Sequence, residues 1–103
     1  MSPDKRDIVV YGAPWCGDCR TSKAVLEKHN ILFLYRDIEV DAQAQREFLE
    51  MVGDGPRSIP RILFRQRDES TEEMEIIDTL VEPTPVALIG ALKTHGYISV
   101  EGK

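Results

Sequence analysis

The chain has 103 residues, a length that fits one domain with a modest core. Its 13 Lys and Arg against 18 Asp and Glu give a formal net charge of −5, which argues against the clustered basic surface that a phosphate backbone requires. No apolar run approaches the roughly 20 residues of a membrane span, and no apolar segment follows residues 1–7 as a secretory leader would, so a cytoplasmic protein with no membrane or nucleic-acid partner is expected.

Residues 1–7 read as an N-terminal tail, 8–96 as the domain and 97–103 as a C-terminal tail. Ile8-Val9-Val10-Tyr11 is a short β-branched run that suits a strand buried on both faces. Gly12, Pro14 and Gly17 punctuate a turn. Residues 18–29 then take a helical period, with Ser22, Val25, Leu26 and His29 on one stripe and Asn30 as a left-handed stop. Residues 31–38 return to strand composition. Asp41 can cap a helix over 42–52 that buries Ala44, Phe48, Leu49 and Val52 and ends at Gly53-Asp54-Gly55-Pro56. Ile62-Leu63-Phe64 and Glu75-Ile76-Ile77 form two more strands, joined by a polar hairpin loop over 66–73. Thr84 caps a last helix with Pro85 at its first position; Val86, Ile89 and Leu92 or Lys93 give its period, and Gly96 ends it. The order is β-α-β-α-β-β-α: a right-handed parallel βαβ unit, then an antiparallel hairpin and a covering helix.

The two cysteines of the chain are Cys16 and Cys19, in the run Ala13-Pro14-Trp15-Cys16-Gly17-Asp18-Cys19-Arg20. A disulfide across two residues removes little chain entropy, so a structural staple is a poor use of both thiols. A mononuclear zinc site needs four ligands, and only His29 and His95 remain to help, so no metal site is expected. Redox chemistry is the better use. A strand-turn-helix places Cys16 at a helix N-terminus, where free N–H groups and the helix dipole favour a thiolate and such thiols have pKa values of roughly 3.5–7.5. Cys16 is therefore read as the nucleophile and Cys19, one turn inside, as the resolving thiol. Asp18 is a modulating residue: its carboxylate suits the first turn but repels a neighbouring thiolate. Arg20 and Arg61 can offset it if they come close.

Arg57-Ser58-Ile59-Pro60 precedes the third strand. A proline at the mouth of an interior strand is ordinarily a trans residue at an edge, or else marks a special position.

With these pieces together, the chain resembles the thioredoxin superfamily, and more closely a glutaredoxin. The resemblance covers residues 8–95 and rests on Val9-Val10-Tyr11, Trp15-Cys16-Gly17-Asp18-Cys19 and Ser58-Ile59-Pro60. It implies an α/β thioredoxin fold of glutaredoxin size, with a mixed four-stranded sheet and three helices. It implies a cis proline facing the cysteines, with Ile59 offering its backbone to an incoming substrate strand. Trp15, Tyr11, Ile59, Pro60 and Arg61 would line the substrate groove, although Trp15 can equally be a packed anchor. The chain departs from thioredoxins at Asp18, where they carry proline, and at Val10, where they bury an aspartate. It departs from ordinary glutaredoxins at residues 77–84, which carry no double-glycine-and-Asp glutathione site. Leu80-Val81-Glu82-Pro83-Thr84, with the Trp-Cys-Gly-x-Cys run, is similar to actinobacterial mycoredoxins, which reduce mixed disulfides of mycothiol. Thr79 and Thr84 lie where a small thiol's carboxylate would dock, and Thr84 also suits a helix cap.

The implied activity is a thiol–disulfide oxidoreductase acting on protein or small-thiol mixed disulfides. No tightly bound cofactor is expected; electrons come from glutathione, mycothiol, bacillithiol or a reductase. Disulfide-bearing proteins and small thiols are the expected partners of a monomer. Two alternatives stand beside it. One is a dedicated electron donor to a reductase, such as ribonucleotide reductase. The other is an iron–sulfur-binding dimer, with a cluster held by Cys16 of two chains and small thiols.

Overall fold

A computed structural model describes residues 6–99. The elements are β1 (Arg6–Gly12), α1 (Gly17–Lys28), β2 (Leu34–Asp37), α2 (Ala42–Val52), β3 (Arg61–Arg67), β4 (Met74–Val81) and α3 (Pro85–Thr94). They follow the expected β-α-β-α-β-β-α order. One mixed sheet runs β2-β1-β3-β4, with β1 and β2 parallel and the other pairs antiparallel. No helix among the described residues is long and apolar enough to cross a membrane.

Alternation along the central strands divides the core. Ile8 and Val10 of β1, with Ile62 and Phe64 of β3, pack against Leu26 of α1 and Leu88 and Leu92 of α3. Val9 and Tyr11, with Leu63, pack with Phe48 of α2 and with both cysteines. Burial on both faces is why residues 8–11 carry no polar alternation.

Several boundaries differ from the sequence reading, each for a physical reason. The second strand begins at Leu34 rather than residue 31, because the preceding residues finish α1. Asn30 takes φ 58°, its N–H donates to Glu27 O, and the Ile31 N–H donates to Leu26 O at 2.9 Å. This is a Schellman closure, with Ile31 packing in the same cluster as Leu26 while Leu32 stays exposed. In α3 the buried row is Leu88 and Leu92, four residues apart, and Val86 is left exposed. Pro85-Val86-Ala87-Leu88-Ile89 is apolar all round, so periodicity alone could not choose the buried face. In α2 Asp41 caps as expected, accepting from the N–H groups of Gln43 and Ala44, and Ala44 and Phe48 are the buried residues. β3 and β4 are longer than their apolar cores, so the hairpin loop is 68–73. Arg6 and Asp7 extend β1, where Asp7 meets Arg65 of β3 in a bidentate pair at 2.8 and 2.7 Å. Tyr97 and Ile98 pack on the α1–α3 core.

Candidate active site

The site is built where β1 gives way to α1. After Gly12 the chain turns, the Cys16 N–H donating to Ala13 O at 3.2 Å, and α1 starts at Gly17. Cys16 is therefore the N-cap, with extended backbone at φ −89°, ψ 111°. An N-cap normally offers a side-chain oxygen to the helix's free N–H groups. Here a sulfur takes that place: Cys16 Sγ accepts from the Cys19 N–H at 3.0 Å. That donor and the positive end of the helix dipole both favour negative charge on this sulfur. Cys16 retains 7% exposure, whereas Cys19, one turn along, has none. The two sulfurs are joined as a disulfide, with their Cα atoms 5.2 Å apart.

The opposite wall is the entry to β3. The Ile59–Pro60 peptide is cis. The Ile59 carbonyl oxygen lies 3.9 Å from Cys16 Sγ, and Pro60 is fully buried. The Glu82 N–H, just beyond β4, donates to Pro60 O at 2.8 Å and ties this loop to the far end of the sheet. Glu82 adopts φ 50° to do so, a conformation that favours glycine.

The fold thus brings Cys16, Cys19, Ile59 and Pro60 into one site. Trp15, next to Cys16 in the chain, is 65% exposed, so the packed-anchor reading does not hold. Tyr11 lies in the cluster beneath the disulfide, and its hydroxyl turns toward α2, donating to Glu47 Oε1 at 2.9 Å. Burial, then Glu47, pushes the Tyr11 phenol's pKa up. Arg61 Nη2 donates to Pro56 O at 3.2 Å, and its guanidinium lies 5.6 Å from the Phe48 ring centre. Its Nε is buried with no hydrogen-bond partner. Asp18 is exposed in the first turn of α1. Arg20 donates to Pro14 O at 2.8 Å and so braces the active-site loop. Thr84 uses its hydroxyl as a helix cap, accepting from the Ala87 N–H at 3.1 Å.

Two residues matter here that the sequence reading treated as scaffold. Gly12 is more than turn punctuation. A Cβ there would lie 2.8 Å from Cys19 Sγ and 2.6 Å from the Tyr35 hydroxyl, so the close approach of α1 to β1 requires glycine. Tyr35, read only as a strand residue, reaches the same point from β2. The available signal was a glycine directly ahead of a Cys-x-x-Cys turn.

The glutaredoxin family model matches residues 8–68, from β1 through β3 and the whole cysteine motif. The chain belongs to the glutaredoxin family. A comparison with curated proteins gave no match. Among solved structures, this glutaredoxin is similar to the thioredoxin of Malassezia sympodialis (Mala s 13), at 26% identity over 89% of this chain and 76% of that one, with a TM-score of 0.62. It shares the fold of Plasmodium falciparum thioredoxin, at 17% identity, 90% and 73% coverage and a TM-score of 0.64. The fold of Trichomonas vaginalis thioredoxin is also shared, at 20% identity, 87% and 78% coverage and a TM-score of 0.64. Family membership and the bonded Cys16–Cys19 pair together make this glutaredoxin a thiol–disulfide oxidoreductase.

Proposed function

We propose that this glutaredoxin reduces mixed disulfides between proteins and a small thiol, with Cys16 as the attacking sulfur and Cys19 as the resolving one. The observation that carries this division is the asymmetry of the pair. Cys16 caps α1, accepts the Cys19 N–H and keeps access to solvent, while Cys19 is sealed. The Cys16 thiolate attacks the substrate disulfide, one substrate sulfur leaves as a thiolate, and a mixed disulfide stays on Cys16. Cys19 then attacks Cys16, releasing the second substrate thiolate and restoring the disulfide of the oxidised protein. The Ile59 backbone and Pro60 form the wall along which an extended substrate segment lies, with Trp15 at the rim.

The small thiol is proposed to be of the mycothiol kind rather than glutathione. The segment after β4 supports this: where a glutathione-binding glutaredoxin has two glycines and an aspartate, this chain turns at Glu82 and runs Glu82-Pro83-Thr84 into α3. Turnover of glutathione, mycothiol and bacillithiol mixed disulfides, with insulin alongside, tests the reading. Cys16→Ser should abolish all of it. Cys19→Ser should spare only reactions on small-thiol adducts. Full activity in Cys16→Ser overturns the assignment. Reduction by NADPH and thioredoxin reductase, with no response to any small thiol, would instead make the protein a dedicated electron donor.

A further inference from the structure

The resolving step poses a problem that Cys16 does not share. Cys19 must lose a proton before it can attack, yet burial in apolar surroundings opposes the thiolate. Cys19 lies among Tyr11, Ala13, Phe48, Ile59 and Leu63. At this end β1 supplies Val10 and Gly12 and no carboxylate.

Gly12 shows which polar group does approach. Its hydrogen points to a spot 2.6 Å from Tyr35 Oη and 2.8 Å from Cys19 Sγ, for that is where a Cβ would sit. Phenol and sulfur thus converge on the one place where β1 carries no side chain. They are near enough for one bridging water, or for direct contact after a small change in the Tyr35 χ1 torsion. Tyr35 is half-buried in β2, paired in register with Val10. Its ring is held under Lys23 of α1, whose Nζ lies 4.2 Å from the ring centre. The charged groups facing it are this ammonium and Asp37 of β2. Burial, then Asp37, raises the phenol's pKa, so at neutral pH it carries its proton and can donate.

We propose that Tyr35 is the proton relay of the resolving cysteine, its hydroxyl linking the Cys19 thiol to solvent while Cys19 attacks the Cys16 mixed disulfide. The inference rests on the reading of Cys19 as the resolving thiol. In the step, the Cys19 sulfur forms a bond to Cys16 as the bond from Cys16 to the substrate sulfur breaks. The substrate leaves with the electron pair as a thiolate. The Cys19 proton passes to the Tyr35 oxygen, and the phenolic proton passes to water. The dithiol loses two electrons and the substrate disulfide gains them. In the reverse direction the same hydroxyl donates to the Cys19 thiolate as the protein disulfide opens.

The test uses the full chain carrying a small-thiol adduct on Cys16, formed in a Tyr35→Phe variant and in the wild type. Release of the thiol in a single turnover should slow at least about tenfold in the variant, the low end of what a positioned proton-transfer group contributes. The 13Cβ titration of Cys19 in a Cys16→Ser background should move to higher pH when Tyr35→Phe is added. In a Cys19→Ser background Tyr35→Phe should leave small-thiol turnover unchanged. Equal release rates overturn the proposal, as does a slowing that persists without Cys19, which would mark a structural role. A second variant keeps the full hydroxyl: 3,5-difluorotyrosine at position 35 should shift the pH profile of release downward, and an unmoved profile counts against the relay. Activity retained in Cys16→Ser would instead defeat the underlying assignment, a separate outcome.

Discussion

At the scale of single residues, the site turns on what stands beside one sulfur. Cys16 gains from the Cys19 N–H and from the helix end, and Asp18 stands in the first turn of the same helix. We propose that the carboxylate contributes twice with opposite sign, stabilising α1 and destabilising the Cys16 thiolate. Asp18→Asn should therefore lower the Cys16 pKa, read from thiolate absorbance of the reduced protein, while slightly lowering the melting temperature. A Cys16 pKa that is unchanged or raised in the variant sinks the idea. Arg20 does not settle the matter, since its guanidinium is engaged with the Pro14 carbonyl. Gly12 sets the other limit at this scale. Any side chain there must displace both the Tyr35 hydroxyl and the Cys19 sulfur.

At the scale of elements, both helices that cover one face end the same way. α1 closes through Asn30 and α3 through Gly96, each at positive φ, with the Ile31 and Tyr97 N–H groups donating to Leu26 O and Leu92 O. The residue after each turn then packs against that core. Arg6 reinforces the second closure, donating to the His95 and Gly96 carbonyls at 2.5 and 3.4 Å and lying over Tyr97. A Cβ at Gly96 would meet only the end of the Arg6 side chain, so the cost of Gly96→Ala is conformational. It should be about 1 kcal/mol, a drop of about 4–8 °C in melting temperature for a domain of this size; an unchanged melt would refute the cap. These closures also explain what the sequence could and could not disclose. Caps are local chemistry, so Asp41, Thr84 and Asn30 were legible from residue type and position. So was the cysteine motif, because a helix N-terminus follows from the turn ahead of it. The start of β2 was not, since residues 31–33 are as apolar as a strand but are consumed by the α1 closure. The buried row of α3 was hidden by a helix apolar on all sides. Tyr35 was hidden most fully: its approach to the point where Cys19 also converges depends on the β1–β2 register and on an atom that Gly12 lacks.

At the scale of the whole molecule, among the described residues α2 is the helix that packs on the Tyr11 and Leu63 face of the sheet, and a polar network fastens it. Glu47 of α2 accepts from the Tyr11 hydroxyl of β1 at 2.9 Å and from Arg36 of β2 at 3.2 and 2.9 Å. Burial pushes the Glu47 carboxyl up, but the hydrogen bonds from Tyr11 and Arg36 outweigh it and hold the pKa below the ordinary value. The sign of the stability effect follows. A carboxyl whose pKa is depressed by folding stabilises the native state above its unfolded pKa, and that contribution is lost as pH falls through the folded value. Glu47→Gln should melt below wild type at pH 7, with the gap closing as pH falls through the lowered Glu47 pKa, where the wild-type carboxyl is itself protonated. Partial exposure of both partners screens the pair, so the shift at pH 7 should be a few degrees or less. A gap of constant size from pH 7 to pH 3 would show that Glu47 acts by shape alone. Because Tyr11 and Phe48 lie in the same cluster as the two cysteines, loosening α2 should also loosen the floor of the site. Glu47→Gln should then speed hydrogen exchange at the Cys19 amide at pH 7 and leave it unchanged at low pH.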